Sequence, residues 1–345
     1  MGLAAFGKED KSNKANLLTI NGNGEINLDF NKINNLYKKA NIFRVDLSNS
    51  KHHQNLAHKV QVETENVILN LLDILKKKFP TDTLYLSGGV ALNVVANERI
   101  KQSNYFKNII LNGSVEDNGT AIGAGIAANL NMGLDRKFSI IKDYYGRLYD
   151  NNEIMKAVLN SNLCYKVLPQ NKLYITAAEM IKQEKVFGWF QGRSEFGPRA
   201  LGNRSIFANP FSTSTKYLLD QLMKCRDRYR PYAPVVIEEQ ANQFFDINDS
   251  SPVMMRNVKV LDKRLVAVQH VDGTARVQTV NKKQNCILYC LLLEVEKTTG
   301  FPILLNTSFN RPGEPIVESP NDALHSFSSG FLDCLFIGNI LISRD

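Results

Sequence analysis

Arginine and glycine crowd together in one segment of this chain whose composition suits anion chemistry. The segment GRSEFGPRALGNRS, residues 192–205, holds Arg193, Arg199 and Arg204 together with three glycines and the acidic Glu195. Ordering such a loop costs backbone entropy, so the loop needs either matched charge within it or a bound anion. Its sequence therefore predicts a site for an anionic ligand, and a structural network between the arginines and Glu195 is the alternative.

A second set of cations lies shortly downstream. Lys224, Arg226 and Arg230 fall within seven residues, and Pro231 breaks any helix there, which disfavours a plain solvated helix face. Ser308 and Asn310 lie much further along the chain. Cations suit phosphate oxygens, and hydroxyl and amide groups suit Mg²⁺ or a nucleotide. The Lys-x-Arg and Ser-x-Asn pairs together therefore indicate a nucleotide site.

Two loops in the first third of the chain have the pattern of ligand-binding turns between a strand and a helix. Gly88 and Gly89 follow a short apolar strand and precede Asn93, so that backbone could approach an anion at a helix N-terminus. The alternative is a tight turn with no ligand. The next such loop carries Asp117, whose carboxylate suits a divalent metal or a substrate hydroxyl. The alternative here is that Asp117 and Asn118 cap a helix that begins at Thr120.

Histidines give weaker signals. His270 is either an acid/base group or a hydrogen-bonded loop residue, and Arg276 adds a cation close after it. The run at residues 51–58 contains His52, His53 and His58, which suggests a metal site at first sight. We expect His52 and His53 to precede the helix that follows, so a solvated run is favoured over a metal site.

The elements that must position these residues alternate between strand and helix, which predicts an α/β layer architecture. A hairpin is expected around residues 21–24. The predicted helices cover residues 56–75, 90–100, 120–131, 177–184 and 285–297, and the predicted strands cover 83–86, 108–111, 186–190, 253–259, 265–269 and 303–306. Residues 140–170 form the expected junction between two domains, at 1–142 and 143–345.

Composition excludes several protein classes. A chain of 345 residues with 43% hydrophobic and 22% charged residues is globular and long enough for two domains. No apolar run approaches the ~18 residues of a membrane span. Five scattered cysteines without a C-x-x-C pair argue against a disulfide framework or a structural zinc site and favour the cytoplasm. The net charge of +8 resides partly in the arginine-dense middle, which favours a phosphate ligand over nucleic acid.

Taken in order, the motifs SGGVALN, EDNGTAIGAG, GRSEFGPRALGNRS, KCRDRYRP, HVDGTARVQ and LLNTSFNRPGEPIVESP resemble the nodulation protein U/tobramycin-type carbamoyltransferase family. The resemblance runs from MGLAAFGK to LFIGNILI. It implies an α/β and α+β fold in which the C-terminal part of an actin/sugar-kinase-like (ASKHA) domain precedes a YrdC-like domain. The implied reaction forms carbamoyl adenylate from ATP and carbamoyl phosphate with Mg²⁺. The carbamoyl group then passes to a hydroxyl or amine of a sugar or other small-molecule acceptor.

The resemblance also assigns roles to residues. Those that match the family's nucleotide, carbamoyl phosphate and anion contacts are Lys224, Arg226, Arg230, Arg276, Ser308, Asn310, Arg193, Arg199, Arg204, Gly88, Gly89 and Asn93. Asp117 matches an aspartate that binds a divalent metal, iron by the same resemblance, together with two histidines. Those histidines belong to a stretch of the family that precedes MGLAAFG, so we expect an N-terminally truncated member or a partner chain that supplies the stretch.

Such a half-domain is expected to expose its sheet edge and apolar face. The alternative function is a YrdC-like module that binds ATP or RNA, or an inactive fragment that needs a partner chain. Salt-sensitive RNA retention would favour the binding module. The Gly/Arg loop and HVDGTARVQ favour the enzyme because they match the carbamoyltransferases specifically.

Overall fold

The computed structural model describes residues 1–9, 16–40, 50–134, 143–220 and 229–344. We call residues 1–134 the N-terminal part and residues 143–344 the C-terminal part. The N-terminal part contains short 3₁₀ turns at Gly2–Phe6 and Gly89–Leu92, strands β1 (Leu18–Ile20), β2 (Ile26–Leu28), β3 (Thr83–Leu86) and β4 (Asn108–Leu111), and helices α1 (Phe30–Ala40), α2 (Lys51–Lys78), α3 (Val94–Gln102) and α4 (Asp117–Asn131).

The predicted hairpin and the two predicted strands of the N-terminal part are confirmed. Strands β1 and β2 pair antiparallel around the Asn-Gly turn, and β3 pairs with β4 in parallel. Helix α2 begins at Lys51, with Ser50 at its N-cap position, so the expectation that His52 and His53 precede the helix is wrong. The His53 Nδ1 atom lies 2.5 Å from the Ser50 hydroxyl. These histidines therefore lie within the first turn of a helix.

The starts of two further helices in the N-terminal part also differ from the prediction. The expected helix over 90–100 is divided at Asn93, whose backbone is not helical and whose side chain accepts a hydrogen bond from the Ala96 amide. Helix α4 begins at Asp117 rather than Thr120, with Glu116 at its N-cap position. Asp117 therefore lies in the first helical turn, where a carboxylate interacts favourably with the helix dipole.

The C-terminal part is built on a mixed sheet of nine strands in the order β5-β13-β12-β6-β7-β11-β8-β10-β9. Its strands are β5 (Tyr165–Val167), β6 (Phe187–Phe190), β7 (Arg204–Ala208), β8 (Ala233–Ile237), β9 (Arg256–Lys259), β10 (Thr274–Val280), β11 (Ile303–Ser308), β12 (Cys334–Ile337) and β13 (Ile340–Ser343). Its helices are α5 (Asn151–Leu159), α6 (Gln170–Lys182), α7 (Thr213–Leu218), α8 (Ala241–Phe244), α9 (Cys286–Thr299) and α10 (Pro320–Ser328), with a 3₁₀ turn at Glu238–Gln240.

Helices cover both faces of this sheet, so its central strands are buried on both sides. Phe187 and Trp189 pack with α6 and α9 on one face, and the alternate residue Phe190 packs with α5 and α10 on the other. A strand that is buried on both faces reads as a continuous apolar run, as FGWF does at β6. The chain thus has a mixed α/β fold with a large mixed sheet.

The predicted strand at 265–269 is wrong. The segment forms buried turns in which the Ala267 amide donates to the carbonyl of Pro210 instead of to a neighbouring strand. Leu265, Ala267 and Val268 have no exposed surface, which explains the apolar pattern. The predicted strand at 253–259 is shorter and begins at Arg256, because Met254 has φ of 58°, outside the strand region.

The two parts pack directly against each other. Ala91 and Val115 of the N-terminal part share a buried cluster with Leu201, Ala233 and the segment 253–255. Beside this cluster, Arg256 on β9 donates to both oxygens of the Glu98 carboxylate at 2.6 and 3.1 Å. This mostly buried ion pair holds the two parts in one geometry, because separating the two side chains would leave an unpaired buried charge.

Helix α4, in contrast, buries none of its residues. The exposed apolar side chains of α4, its C-terminal end and the adjoining β3–β4 sheet include Tyr85, Ile110, Leu130 and Met132. The exposed apolar face expected of this part is therefore present. Among the described residues, no helix combines the length and apolar character needed to cross a lipid bilayer.

Candidate active site

A cavity of about 550 Å³ opens where the two parts meet. Its wall combines the loop at 198–200, the segment 229–233 and the end of β11 with Val94 and Val95 of α3. The charged and polar side chains of this wall that could contact a ligand are Arg199, Arg230, Arg276, His270, Asp272, Asn257, Asn306, Thr307 and Ser308. The tertiary structure thus brings together residues of four predicted segments, namely the Gly/Arg loop, residues 224–231, residues 270–276 and residues 306–310, and leaves the other candidates outside.

Arg199 is the cation whose surroundings most favour an anionic ligand. Its Nε atom is buried and has no hydrogen-bond partner in the described structure. Burial lowers the pKa of Arg199, Glu116 opposes that shift, and the nearby Arg230 adds to it. Two neighbouring guanidinium groups repel each other, so an anion between them removes the repulsion and satisfies free N–H donors.

Glu116 belongs to the N-terminal part, whereas Arg199 belongs to the C-terminal part. Their electrostatic interaction therefore connects the cavity wall to the N-terminal part. The contact is continued by hydrogen bonds, since Ser114 and Asn118 both donate to the carbonyl of Phe196. The Gly/Arg loop therefore lies against the EDNG loop of the N-terminal part. Neither segment alone predicted that the two motifs meet.

The remaining charged residues of the Gly/Arg loop are structural. One oxygen of Glu195 accepts from the amides of Leu201 and Asn203 at 2.6 and 2.8 Å, and from that of Arg204 at 3.4 Å. Burial raises the pKa of Glu195, and these backbone donors and Arg204 oppose the shift. The predicted alternative, a structural network of arginine and Glu195, is thus present for Glu195 and Arg204. Arg199 lies outside this network and remains available to a ligand.

Arg204 lies at the start of β7 with no exposed surface and does not line the cavity. Its guanidinium donates to the carbonyls of Gln191 and Asn203 at 2.9 and 3.0 Å and stacks 3.6 Å from the ring centre of Phe190. Burial lowers the pKa of Arg204 to about 10 against the opposing charge of Glu195. Arg193 is exposed and donates to the carbonyl of Gly146, so it also lies away from the cavity wall.

A hydrogen bond joins Ser308 and Asn310 of the Ser-x-Asn pair, but the two residues line different cavities. The Ser308 hydroxyl lines the main cavity and donates to the side-chain oxygen of Asn310 at 2.7 Å. The amide nitrogen of Asn310 donates to the carbonyl of Glu314, and Asn310 itself lines a separate small cavity of about 160 Å³. Asn310 therefore orients Ser308 and shapes the following turn.

Both ring nitrogens of His270 face acceptors. Its Nε2 lies 3.1 Å from the carbonyl of Tyr229, and its Nδ1 lies 3.5 Å from the Asp272 carboxylate. Burial alone would raise the pKa of Asp272, but hydrogen bonds from His270 and Thr274 together lower it. This geometry favours His270 as a hydrogen-bonded loop residue over His270 as an acid/base group. Its contact with Tyr229 holds the neighbouring Arg230 at the cavity.

A second groove of about 440 Å³ lies in the N-terminal part and contains Gly88, Gly89 and Asp117, with Glu116 and Thr120 in its wall. Asn93 lies outside this groove, where it caps α3 and pairs with Gln61. Gly88 has φ of 95°, which favours glycine at this turn. The groove and the main cavity are adjacent through Glu116 and Arg199.

A metal centre does not fit the described residues. No group of three or more histidine, cysteine, aspartate or glutamate side chains lies together there. Asp117 contributes one carboxylate to its groove, and His52, His53 and His58 lie on α2. A role of Asp117 as ligand of the metal that the resemblance implies therefore stays a prediction. Lys224 and Arg226 lie outside the described residues, so their placement stays a prediction.

Sequence reasoning missed three residues of this region. Asn306, Glu116 and Asp143 received no role, although Asn306 is a polar residue at the end of the apolar run ILL, and a polar side chain in a buried strand needs a reason. Asp143 joins the parts, because its carboxylate accepts from the Gly113 amide and its carbonyl accepts from the Phe196 amide at 2.6 Å.

Two family models match this chain. Residues 1–126 match the family model described as the carbamoyltransferase N-terminus, and residues 178–344 match the carbamoyltransferase C-terminus. The chain belongs to the carbamoyltransferase family. The nodulation protein NolO of Bradyrhizobium diazoefficiens is 33% identical over 100% of this chain and 65% of its own length.

Another relative is the 3'-hydroxymethylcephem-O-carbamoyltransferase of Streptomyces clavuligerus, which is 31% identical over 75% of this chain and 48% of its own length. The chain thus spans about half to two thirds of the length of these curated relatives. Among solved structures, full-length HypF in its phosphate- and nucleotide-bound form covers 53% of this chain and 22% of its own, with 14% identity and a TM-score of 0.34.

The junction carboxyl Asp143 should make the stability of this protein depend on pH. Burial raises the pKa of Asp143 to about 6, and the Gly113 amide opposes the shift. The folded protein therefore holds this proton more tightly than the unfolded chain, so the stabilisation is complete below about pH 4 and is lost as the pH rises through about 6. We expect Asp143→Asn to match the wild type in thermal midpoint at pH 4 and to exceed it at pH 7.

Asp262→Asn provides a control of opposite sign. A hydrogen bond from Arg264 lowers the pKa of Asp262, so that carboxyl contributes stability above its unfolded pKa and loses it as the pH falls. Its loss should reduce the thermal midpoint at pH 7 more than at low pH. Parallel melting profiles for the wild type and Asp143→Asn between pH 4 and 7 would show that Asp143 is not the titrating group.

Proposed function

We propose that this chain is the part of an ATP-dependent carbamoyltransferase that activates carbamoyl phosphate at the main cavity and passes the carbamoyl group towards the N-terminal groove. The acceptor is a hydroxyl or amine of a sugar or another small molecule. The observation that carries the proposal is the cationic wall of the cavity, where Arg199 and Arg230 lie close together and Arg199 presents an unpaired donor. The similarity to the 3'-hydroxymethylcephem-O-carbamoyltransferase supports transfer to an oxygen acceptor.

The proposed activation consumes one water molecule. Water cleaves carbamoyl phosphate to carbamate and inorganic phosphate, and a carbamate oxygen then attacks the α-phosphorus of ATP and displaces pyrophosphate. The product is carbamoyl adenylate, whose carbonyl carbon is attacked by the acceptor while AMP leaves with the bond electrons. Both reactants are polyanions, so the guanidinium groups of Arg199, Arg230 and Arg276 would screen their repulsion and hold the leaving phosphates.

In this proposal the nine-stranded unit is the YrdC-like domain and the N-terminal part belongs to an actin-like (ASKHA) domain. Lys224 and Arg226 precede Arg230 in sequence and would add cations for ATP, which enters with Mg²⁺. The Ser308 hydroxyl donates its proton to Asn310, so its oxygen would be directed to Mg²⁺ or to a donor group of the nucleotide. The groove with Gly88, Gly89 and Asp117 is the proposed place of the acceptor.

Pyrophosphate release tests this proposal. The purified 345-residue chain with ATP and Mg²⁺ should release pyrophosphate when carbamoyl phosphate is added, with equal amounts of inorganic phosphate. The same mixture without carbamoyl phosphate is the control. Folded protein that releases no pyrophosphate would contradict the proposed activation, and salt-sensitive retention of RNA by that protein would favour a binding module instead.

A further inference from the structure

Two cysteines lie four residues apart at the N-terminal end of α9. Cys286 is the first residue of the helix and is exposed, and Cys290 is half-buried one turn further on. Residues four apart share one face of a helix, so the two side chains are neighbours. A side-chain hydrogen bond joins the two thiols. Neither cysteine lines the main cavity, so this pair of thiols has no part in the site described above.

The surroundings give the two thiols different tasks in disulfide exchange. Cys286 is exposed in the first turn of α9, where the helix dipole favours the negative charge of a thiolate. Thiolates are the nucleophiles in this chemistry, so access and charge make Cys286 the residue that reacts first. Burial and the neighbouring Cys286 raise the pKa of Cys290, and the positive charge of Lys282 opposes the shift. Its position beside Cys286 nevertheless gives Cys290 a high effective concentration towards any disulfide formed on Cys286.

We propose that Cys286 and Cys290 form a modification site that reacts with a low-molecular-weight disulfide and closes into a disulfide within α9. In the first step the Cys286 thiolate attacks one sulfur of the small disulfide, forms a mixed disulfide and releases one small thiol. In the second step the Cys290 thiolate attacks the Cys286 sulfur and displaces the second small thiol. The protein loses two electrons and two protons, and the small disulfide gains both as it is reduced to two thiols.

The closed form must distort the first turn of α9. Cα atoms four residues apart in a helix are separated by about 6 Å, which a disulfide can span. Their Cβ atoms lie about 5–6 Å apart, whereas a disulfide holds them at about 3.5–4.5 Å. Bond formation therefore draws the two side chains together and tilts the first turn. Asn285 belongs to this turn as its N-cap, since its side chain accepts from the Leu288 amide at 3.0 Å.

The first turn of α9 also supports the Gly/Arg loop. The Asn285 Nδ2 atom donates to Asn203 Oδ1 at 2.9 Å. Leu288 packs so closely against Gly202 that a Cβ atom added to this glycine would lie 2.3 Å from the leucine side chain. The Asn203 amide in turn donates to Glu195, the carboxylate that orders the loop. A change at the cap of α9 therefore reaches the loop whose arginine lines the main cavity.

Oxidised glutathione is the probe, and mass spectrometry of tryptic peptides from the treated full chain is the measurement. Cleavage after Lys283 and Lys297 leaves both cysteines on one peptide, residues 284–297. In the wild type we expect this peptide to be lighter by two hydrogen atoms and resistant to alkylation until it is reduced. Cys290→Ser should stop at the mixed disulfide and carry one glutathione on Cys286. Cys286→Ser should react about 10-fold more slowly or less, because Cys290 is less accessible.

Cys164→Ser is the matched control. Cys164 is exposed like Cys286, but it lies directly before β5 rather than on α9, so its replacement should leave the closure of the 284–297 peptide unchanged. Wild-type protein that keeps one glutathione on Cys286, as expected of Cys290→Ser, would overturn the proposed closure. Equal rates for Cys286→Ser and the wild type would show that Cys286 is not the attacking thiol and would overturn the site as well.

The effect on the Gly/Arg loop is measured on the closed form. We expect it to melt about 2–4 °C below the reduced protein and to exchange the amide hydrogens of residues 199–205 faster. Pyrophosphate release should fall about 5-fold and recover on reduction, a readout that rests on the proposed function. Unchanged melting and hydrogen exchange would overturn the coupling to the loop. Reduced protein that releases no pyrophosphate would remove the proposed function alone, because the mass, melting and exchange measurements need no catalysis.

Discussion

Replacing Arg199 by alanine is expected to lower kcat/KM for carbamoyl-phosphate-dependent pyrophosphate release by about two to three orders of magnitude. Charge-assisted hydrogen bonds to phosphate are among the strongest side-chain contacts, and the loss of one in a water-poor site costs about 3–4 kcal/mol of transition-state stabilisation. The Nε atom of Arg199 is buried and has no hydrogen-bond partner in the described structure, so it can donate to a ligand. The nearby charge of Arg230 further favours an anion at this position.

Arg199→Lys should recover part of the activity, because a lysine restores the charge without the bidentate geometry of a guanidinium. Arg264→Ala is a suitable control, since Arg264 pairs with Asp262 and lies outside the cavity. The measurement is steady-state pyrophosphate release for the four proteins over a range of carbamoyl phosphate concentrations. Equal kcat/KM for wild type and Arg199→Ala would remove Arg199 from the proposed anion site.

Removal of the Glu195 carboxylate should have the largest effect on stability. Glu195 accepts from the backbone amides of Leu201, Asn203 and Arg204 and offsets the charge of the buried Arg204 guanidinium. Glu195→Ala would leave those donors and that cation without their acceptor, which we expect to lower the free energy of unfolding by about 3–5 kcal/mol. Activity should fall as well, because the same loop presents Arg199 to the cavity.

Glu195→Gln is the matched variant, since its Oε1 can still accept from the backbone amides while the negative charge is gone. We expect it to cost about 1–2 kcal/mol, less than the alanine variant. Chemical denaturation monitored by tryptophan fluorescence measures both changes, because Trp189 lies in the core beside β7. Equal losses for glutamine and alanine would mean that the charge, rather than the hydrogen bonds, stabilises the loop.

Local patterns in the sequence determined the elements whose boundaries are set by short-range chemistry. The hairpin follows from Asn-Gly residues between apolar pairs, and β3 and β4 were predicted at their observed bounds because turn residues limit them. Helix α9 was also predicted almost completely, as Asn285 caps it and Gly300 ends it in the left-handed region. The motif order was sufficient to identify the family.

Strands that carry polar or charged residues could not be recognised locally. Strand β7 begins with Arg204, which reads as part of the Gly/Arg loop until the carbonyls and the Phe190 ring around its guanidinium are known. The segment 265–269 failed in the opposite way, because its apolar residues serve buried turns. In both cases long-range packing overrode local preference, which is weak for short segments.

The amino-acid sequence by itself determined which residues of this protein could bind anions, since arginine, serine and asparagine have that chemistry wherever they lie. Only the tertiary structure decided which of them converge. Arg199, Arg230, Arg276, Ser308 and Asn306 share one cavity because sheet pairing places β11 between β7 and β8. Packing of the two parts against each other brings the Gly/Arg loop against Glu116. Strand order and burial depend on contacts between distant residues, and no local spacing encodes them.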